Sequence, residues 1–418
     1  MRKAALCKLF TAVVAALLAS GAQADEGGKL LIVGGALRGD NAAVYRAFIE
    51  SIPAKYPEVA IVPAASGRPA YYAEAFRADL RRHGFDGRVE ILPVAVSDDP
   101  ATDVDESGWL RGAHDRHLAE RLEKVGGIWF VGGDQTRITD TLLLQDGGDT
   151  PLLAAIRVQL ARGAVVGGTS AGAAIMSRTM IAAGDSLSAL TLPQAERYDG
   201  MQAQESGQLL MKRGLGFLET GIVDQHFDRK SRLGRLVRAL APPMATEERR
   251  GFGIDEDTAL LADLSSGDMH VLGAGNLTLL DAREAEFNLS AGRFSVDDIR
   301  LSVLSDGDSY NWKTGTMQSS GSATAGKEAF AYRPEQGAGI ALPNSRLDQL
   351  LGFSLLDNSE SRELRRYAFN ESGRAILFRF EQTDESQGFW RYGSGTKDQY
   401  SIGNVQLSIR PVTITVKH

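Results

Sequence analysis

From Lys29 onward, short apolar runs alternate with longer amphipathic stretches, a spacing that predicts strand and helix in regular succession. KLLIVGGA (Lys29–Ala36) is apolar at successive positions, as a strand covered on both faces requires. NAAVYRAFIESI (Asn41–Ile52) spaces its apolar residues as one face of a helix does. The beat continues with the strand VAIVPAAS, the helix YYAEAFRADLRRHGF closed by Gly84, the strand VEILPV, the helix AHDRHLAERLEKV and the strand GGIWFVGG. LLAAIRVQLARG (helix), AVVGG (strand), a helix after Ser170, LETGIVDQHF (strand) and RLGRLVRAL (helix) follow, then the strand-like GFGI and TALLADL. Such alternation implies right-handed crossovers and an α/β fold with a doubly wound, mostly parallel sheet. Ligands of such sheets bind outside the carboxyl ends of the strands, where the Gly-rich loops fall here.

After Ala282 the pattern changes to short alternating runs (GRFSV, AILFRFEQ, VQLSIRPVTITV) broken by Gly, Ser, Asp and Asn, which predicts a β-rich domain over 282–418. SSGSATAG (Ser319–Gly326) reads as a flexible loop inside it. The first 24 residues differ again: basic Arg2, Lys3 and Lys8, an apolar run too short to span a bilayer, and Ala22-Gln23-Ala24, the marks of a secretory signal cleaved after Ala24. A folded domain over 25–281 and a secreted or periplasmic location follow from that reading.

Of 418 residues, 43% are hydrophobic, enough for ordinary cores, and the single cysteine, Cys7, lies in the signal segment. The mature chain therefore has no disulfide, thiolate metal site or cysteine nucleophile. Removing the signal deletes three basic and no acidic residues and takes the formal charge from −7 to −10, a surface that attracts neither nucleic acid nor an anionic membrane.

Candidate chemistry centres on VVGGTSAGAAIM (Val165–Met176). Gly168-Thr169-Ser170-Ala171-Gly172 fits G-x-S-x-G between a strand and a helical stretch, AGAAIMSRTM, the context of a nucleophile elbow. The Ala171 N–H then points where an oxyanion would form, and Gly132 and Gly133, after the strand IWFV, offer a second donor. A serine hydroxyl needs a base. Of six histidines, His418 is terminal, His270 lies in a candidate hairpin, and His83, His114 and His117 lie in Arg- and Glu-rich helical stretches where a solvated face accounts for them. His226 ends the strand of LETGIVDQHF, at the rim expected for Ser170. GFGIDEDTAL then offers Asp255, Glu256 and Asp257 as the orienting carboxylate. The order Ser, His, acid differs from the Ser, acid, His order of α/β-hydrolases.

FVGGDQTRI (Phe130–Ile138), GGTSAGAAIM, VDQHFDRKSRLGRL and GFGIDEDTA together resemble the cyanophycinases, serine peptidases related to isoaspartyl dipeptidases, over roughly residues 28–281. The resemblance implies a fold like the class I glutamine amidotransferases and flavodoxin, a homodimer, no metal or organic cofactor, and hydrolysis of cyanophycin, a polyaspartate whose side chains carry arginine, to β-Asp-Arg. Short isoaspartyl or aspartyl peptides are the alternative substrates, and a non-catalytic polymer-binding protein is the alternative outside enzymes. The resemblance also implies Ser170 as nucleophile, His226 as base and Glu256 as the residue that orients it, with Asp255 and Asp257 still open. Ala171 and Gly133 would hold the oxyanion, and Gln135, Asp224, Gln225, Lys230, Arg232 and Arg235 would line the substrate pocket. Arg232 and Arg235, three apart on one helix face, would be fixed cations for substrate carboxylates, with Asp224 and Gln135 as acceptors for its guanidinium. Lys230 departs from the Arg usual in the family and loses its two-pronged donor geometry.

Overall fold

The computed structural model describes residues 27–289, 293–371, 373–393 and 397–415; the expected signal segment with Cys7, and His418, lie outside them. The first half consists of β1 (Lys29–Val33), α1 (Ala42–Glu50), β2 (Glu58–Val62), α2 (Pro69–Arg82), β3 (Val89–Ile91), α3 (Arg116–Glu120), β4 (Val125–Phe130), α4 (Gln135–Leu142), α5 (Pro151–Ala161) and β5 (Val165–Thr169). Its strands pair in parallel in the order β1-β5-β4-β2-β3. Successive side chains of a strand point to opposite faces, so a sheet buried on both faces needs continuous apolar runs. Leu30 and Ile32 of β1 accordingly join a core with Ile138 and Leu142 of α4 and Leu153 and Ile156 of α5. Leu31 and Val33 join the other core, with Val44 and Phe48 of α1 and Phe76 and Leu80 of α2. Helices thus cover both faces of the parallel strands, as expected.

Aromatic packing sets the spacing on the second face. Trp129 of β4 is 2% exposed, stacks on Phe76 with centroids 4.1 Å apart, and meets the edge of Phe48 at 5.4 Å. Gly167 of β5 leaves room for the indole: a Cβ there would lie 2.7 Å from Cε3. From β1 the chain crosses over β5 and β4 to reach β2, then returns through β4 to β5 beside β1. The segments after β1 and β5 accordingly go to opposite faces, α1 to the second core and Ala171 and Ala173 to the first, and in such sheets ligands bind outside the carboxyl ends of strands that part in this way.

The next elements are α6 (Ala171–Ala174), β6 (Thr179–Ala183), α7 (Ser186–Thr191), β7 (Leu210–Arg213), β8 (Ile222–Asp224), α8 (Leu233–Ala239), β9 (Arg250–Ile254), β10 (Thr258–Asp263), β11 (Asp268–Gly273) and β12 (Asn276–Asp281). Two expected helices are shorter than their patterns. α6 is a single turn because Ser177 leaves it to bridge Leu218 and to accept the Val223 N–H at 2.7 Å. The stretch AHDRHLAERLEKV keeps only α3, between two 3₁₀ turns. β10 pairs antiparallel with β1, so this flank of the sheet reverses direction.

The remainder is β-rich: β13 (Glu286–Asn288), β14 (Ser295–Ser305), β15 (Ser309–Asn311), β16 (Thr316–Gln318), β17 (Ser322–Ala323), β18 (Gly337–Ala338), α9 (Leu347–Leu351), β19 (Glu363–Phe369), β20 (Ala375–Glu381), β21 (Gln387–Tyr392) and β22 (Asp398–Val412). β17 lies in the expected loop Ser319–Gly326 and pairs with β21. A second sheet runs β18-β19-β20-β22-β14-β12-β9-β8, so residue 281/282 falls inside one hydrogen-bonded sheet: β12 pairs with β14 from Asn276↔Ser305 to Asp281↔Arg300. β15 and β16 instead extend the first sheet beyond β11. One apolar core joins this segment to α8, with Leu236, Val237 and Leu240 clustered with Val296, Leu301, Phe378 and Leu407.

Candidate active site

At the end of β5 the chain turns through Ser170, whose φ of 54° and ψ of −108° lie in a region L-residues rarely occupy. Such a conformation costs about 1–3 kcal/mol and persists only when its surroundings hold it. Here the Ser170 N–H donates to Val33 O at 3.0 Å, and glycines let the backbones close up. A Cβ on Gly168 would lie 2.6 Å from Gly172 O, and one on Gly172 2.5 Å from Phe130 O. The small residues flanking Ser170 are thus dictated by the sharp turn that lifts its hydroxyl off the strand end.

His226 follows β8, also at positive φ (47°), with its N–H donated to Gly34 O at 2.6 Å. Its imidazole lies against Gly35, where a Cβ would sit 2.3 Å from Cε1 and 2.4 Å from Nε2. Gly35 itself has φ +108°, and its carbonyl accepts the Asp257 N–H at 2.8 Å. The loop after β1 is therefore a shelf for the imidazole. The sequence reading missed it, although a Gly-Gly directly after the first strand was the signal.

Ser170 Oγ and His226 Nε2 are 2.9 Å apart, and His226 Nδ1 lies 2.6 Å from Glu256 Oε1. With Nδ1–H donated to Glu256, Nε2 is the acceptor for the serine O–H. Burial pushes the His226 pKa down, Lys230 and Arg232 push the same way, and the Glu256 contact only partly opposes them. The ring is therefore neutral at neutral pH, the state in which it can take a proton.

Three consecutive acids have three separate partners. Asp255 accepts the N–H groups of Asp228 (3.0 Å) and Asn276 (2.9 Å), and burial, with Asp228 nearby, pushes its pKa up to about 7. Asp257 accepts from Asn41 Nδ2 at 2.9 Å and from the Arg38 N–H at 3.0 Å. Of the three, Glu256 is the one whose carboxylate meets the imidazole.

The expected pocket residues are arranged differently from the sequence reading. Arg235 and Asp224, each 2% exposed at the side chain, form a two-pronged pair at 2.8 and 2.6 Å, and Arg235 also donates to Gly184 O and Gln204 O. Neither is presented as a free cation or acceptor: a buried charge without a partner is costly, and each supplies the other's. Arg232 is also buried, donating to Gln225 O and, at 3.1 Å, to Glu205 Oε2. Burial brings its pKa down to about 10. Lys230 pairs with the same Glu205. Gln135 is 2% exposed and donates to Ile181 O and Ala182 O at 3.1 and 3.2 Å. Gln225 is buried, and its Oε1 has no hydrogen-bond partner among the described residues. The sequence reading missed Glu205, which stands in a polar loop with no periodicity to single it out.

Gly133, at φ +143°, abuts the loop after β2: a Cβ would lie 2.1 Å from Ala65 O. Its neighbour Gly132 faces the serine, with a Cβ position 3.4 Å from Ser170 Cβ. The N–H groups of Ala171 and Gly133 donate to no other group among the described residues. A hydroxyl with a neutral imidazole on one side and unpaired N–H groups nearby has the parts that acyl transfer requires.

Residues 30–268 match the family model for peptidase family S51. The chain is 33% identical over 266 residues to a cyanophycinase of Synechococcus elongatus, covering 62% of this chain and 71% of that protein. It is 32% identical over 289 residues to a cyanophycinase of Trichormus variabilis, covering 68% and 85% respectively. A solved peptidase from an acI-B1 actinobacterium superposes on 60% of this chain and 90% of its own, with 21% identity and a TM-score of 0.43.

Proposed function

Because this chain belongs to peptidase family S51 and is a serine-type peptidase, we propose that it is a cyanophycinase, cutting cyanophycin between aspartyl units to release β-Asp-Arg. The observation that carries this reading is the continuous line from Ser170 Oγ through His226 to Glu256, at 2.9 and 2.6 Å. Ser170 Oγ attacks the scissile carbonyl carbon while His226 Nε2 takes its proton. Glu256 holds the tautomer and stabilises the imidazolium. The N–H groups of Ala171 and Gly133 receive the negative oxygen, each such donor contributing about 3–4 kcal/mol in the transition state. The C–N bond then breaks, with the imidazolium proton passing to the departing amine. Water, deprotonated by His226, releases the acyl group from Ser170 and restores the hydroxyl.

Lys230 in place of the family's Arg favours a second reading, action on short isoaspartyl or aspartyl peptides, since an ammonium grips a carboxylate at one point only. On this reading the fold is that of the class I glutamine amidotransferases, and the signal-like residues 1–24 support a secreted or periplasmic enzyme. The test is digestion of insoluble cyanophycin by the purified protein, with products identified by mass spectrometry. β-Asp-Arg is expected, and Ser170→Ala lowers turnover by several orders of magnitude with folding intact. Turnover by that variant at the normal rate would remove the acyl-enzyme; release of short-peptide products alone, with the polymer untouched, would favour the second reading.

A further inference from the structure

Two adjacent residues from one polar turn engage four of the six groups expected to receive substrate. Gln204 ends the 3₁₀ turn Met201–Gln204. Its Nε2 donates to Gln135 Oε1 and to Tyr198 OH, both at 3.1 Å, and its carbonyl accepts from Arg235 Nη1 at 3.0 Å. Glu205 directly follows and bridges Lys230 and Arg232, accepting from Arg232 Nη2 at 3.1 Å. Burial pushes the Glu205 pKa up, but Arg232 and Lys230 outweigh it and hold the group below the ordinary carboxylate range, so it is ionised.

The exposures are lopsided. The Arg232 side chain is 3% exposed, whereas that of Glu205 is 45% exposed. Asp224 also lies 3.5 Å from Arg232, but Arg235 holds that carboxylate at 2.6 and 2.8 Å, so the carboxylate hydrogen-bonded to the Arg232 guanidinium comes from the solvent side and from a turn. An amide on Gln135 and a carboxylate on the Lys230–Arg232 pair together reproduce the groups of an aspartyl unit. We propose that Gln204-Glu205 is an internal stand-in for the substrate's aspartyl unit, an autoinhibitory contact that the carboxylate of an incoming substrate displaces.

The inference rests on the reading of Lys230 and Arg232 as substrate cations, and its test is kept separate from polymer cleavage. Succinate, a free dicarboxylate, is titrated calorimetrically into the full chain and its variants, with the thermal midpoint as the check on folding. If the contact is closed in about nine molecules of ten, the apparent Kd is raised about tenfold. Glu205→Gln is then expected to tighten succinate by about that factor and to lower KM for the cleaved substrate by a similar one. Gln204→Ala, which leaves the charge unchanged, is expected to tighten it as well, and it supplies the measurement if Glu205→Gln does not fold. Unchanged, weaker or absent succinate binding in folded variants overturns the proposal. So does a gain confined to Glu205→Gln, which charge removal alone explains. Tighter succinate binding in a protein that leaves cyanophycin intact would uphold the contact and reject the polymer as substrate. Polymer cleavage with succinate affinity unmoved would do the reverse.

Discussion

Replacing Gly35 by alanine tests whether the loop after β1 holds the imidazole in its working position. The new Cβ would lie 2.3 Å from His226 Cε1 and 2.4 Å from Nε2, against ordinary contact beginning near 3.4 Å, so ring or loop must yield. The ring has little freedom, since Ser170 and Glu256 hold its two nitrogens and its own N–H is bound to Gly34 O. Restoring contact therefore means a shift of about 1 Å at one of these bonds, a displacement on the scale that costs about 100-fold in rate. Alanine at φ +108° adds backbone strain of about 1–2 kcal/mol, which is read separately as a lower thermal midpoint. The assay is steady-state hydrolysis with unfolding monitored on the same preparation. The loss is expected in kcat, because the group displaced is the imidazole that takes the serine proton in the transition state. A folded Gly35→Ala enzyme with kcat within twofold of normal would show that the shelf does not position His226.

Two further outcomes follow from the charges around the site. Glu256→Gln removes the contact that raises the His226 pKa while burial, Lys230 and Arg232 still lower it; the acid limb of the pH profile of kcat/KM, already below the ordinary histidine value, should move to still lower pH as kcat falls by about 10²–10⁴-fold. A limb moving to higher pH would contradict that balance. Asp255 has its folded pKa raised to about 7 against about 3.9 in an unfolded chain, so between those values the native state holds the extra proton. Its contribution to stability is thus full below about pH 4 and falls as pH rises through about 7. The stability of Asp255→Asn relative to the parent, from urea unfolding at several pH values, should therefore grow over that window and level off above it; a flat difference would mean that the carboxyl titrates normally.

What could be read from the chain, and what could not, divides along physical lines. Two-sided burial writes itself as continuous apolar runs, so KLLIV and GGIWFV announced the parallel strands and the helices between them. A turn as sharp as that at Ser170 must carry small residues on both sides, and Gly168 and Gly172 did. His226 stood out because it ends an apolar strand rather than lying on a charged helix face. Strand direction, by contrast, has no one-dimensional signature, so the reversal at β10 was invisible. Periodicity and spacing could not rank Asp255, Glu256 and Asp257, and only the motif resemblance pointed to Glu256, because their partners Asn276, His226 and Asn41 lie far off in sequence. The pairing of Arg235 with Asp224, and of Arg232 with Glu205, likewise depends on contacts that helical spacing does not encode. The AGAAIMSRTM stretch has good helical composition, yet tertiary contacts of Ser177 cut it to one turn.

The way the C-terminal strands enter both sheets bears on how this protein can be shortened. A chain ended at Asp281 would keep every residue of the Ser170–His226–Glu256 line but lose β14 from β12 and β15 from β11. Two rows of backbone donors and acceptors would then stand open as templates for strand addition, beside apolar surface stripped of its cover. Such a fragment should be recovered as aggregate, and trimming toward a minimal catalyst would have to proceed from loops rather than from the terminus.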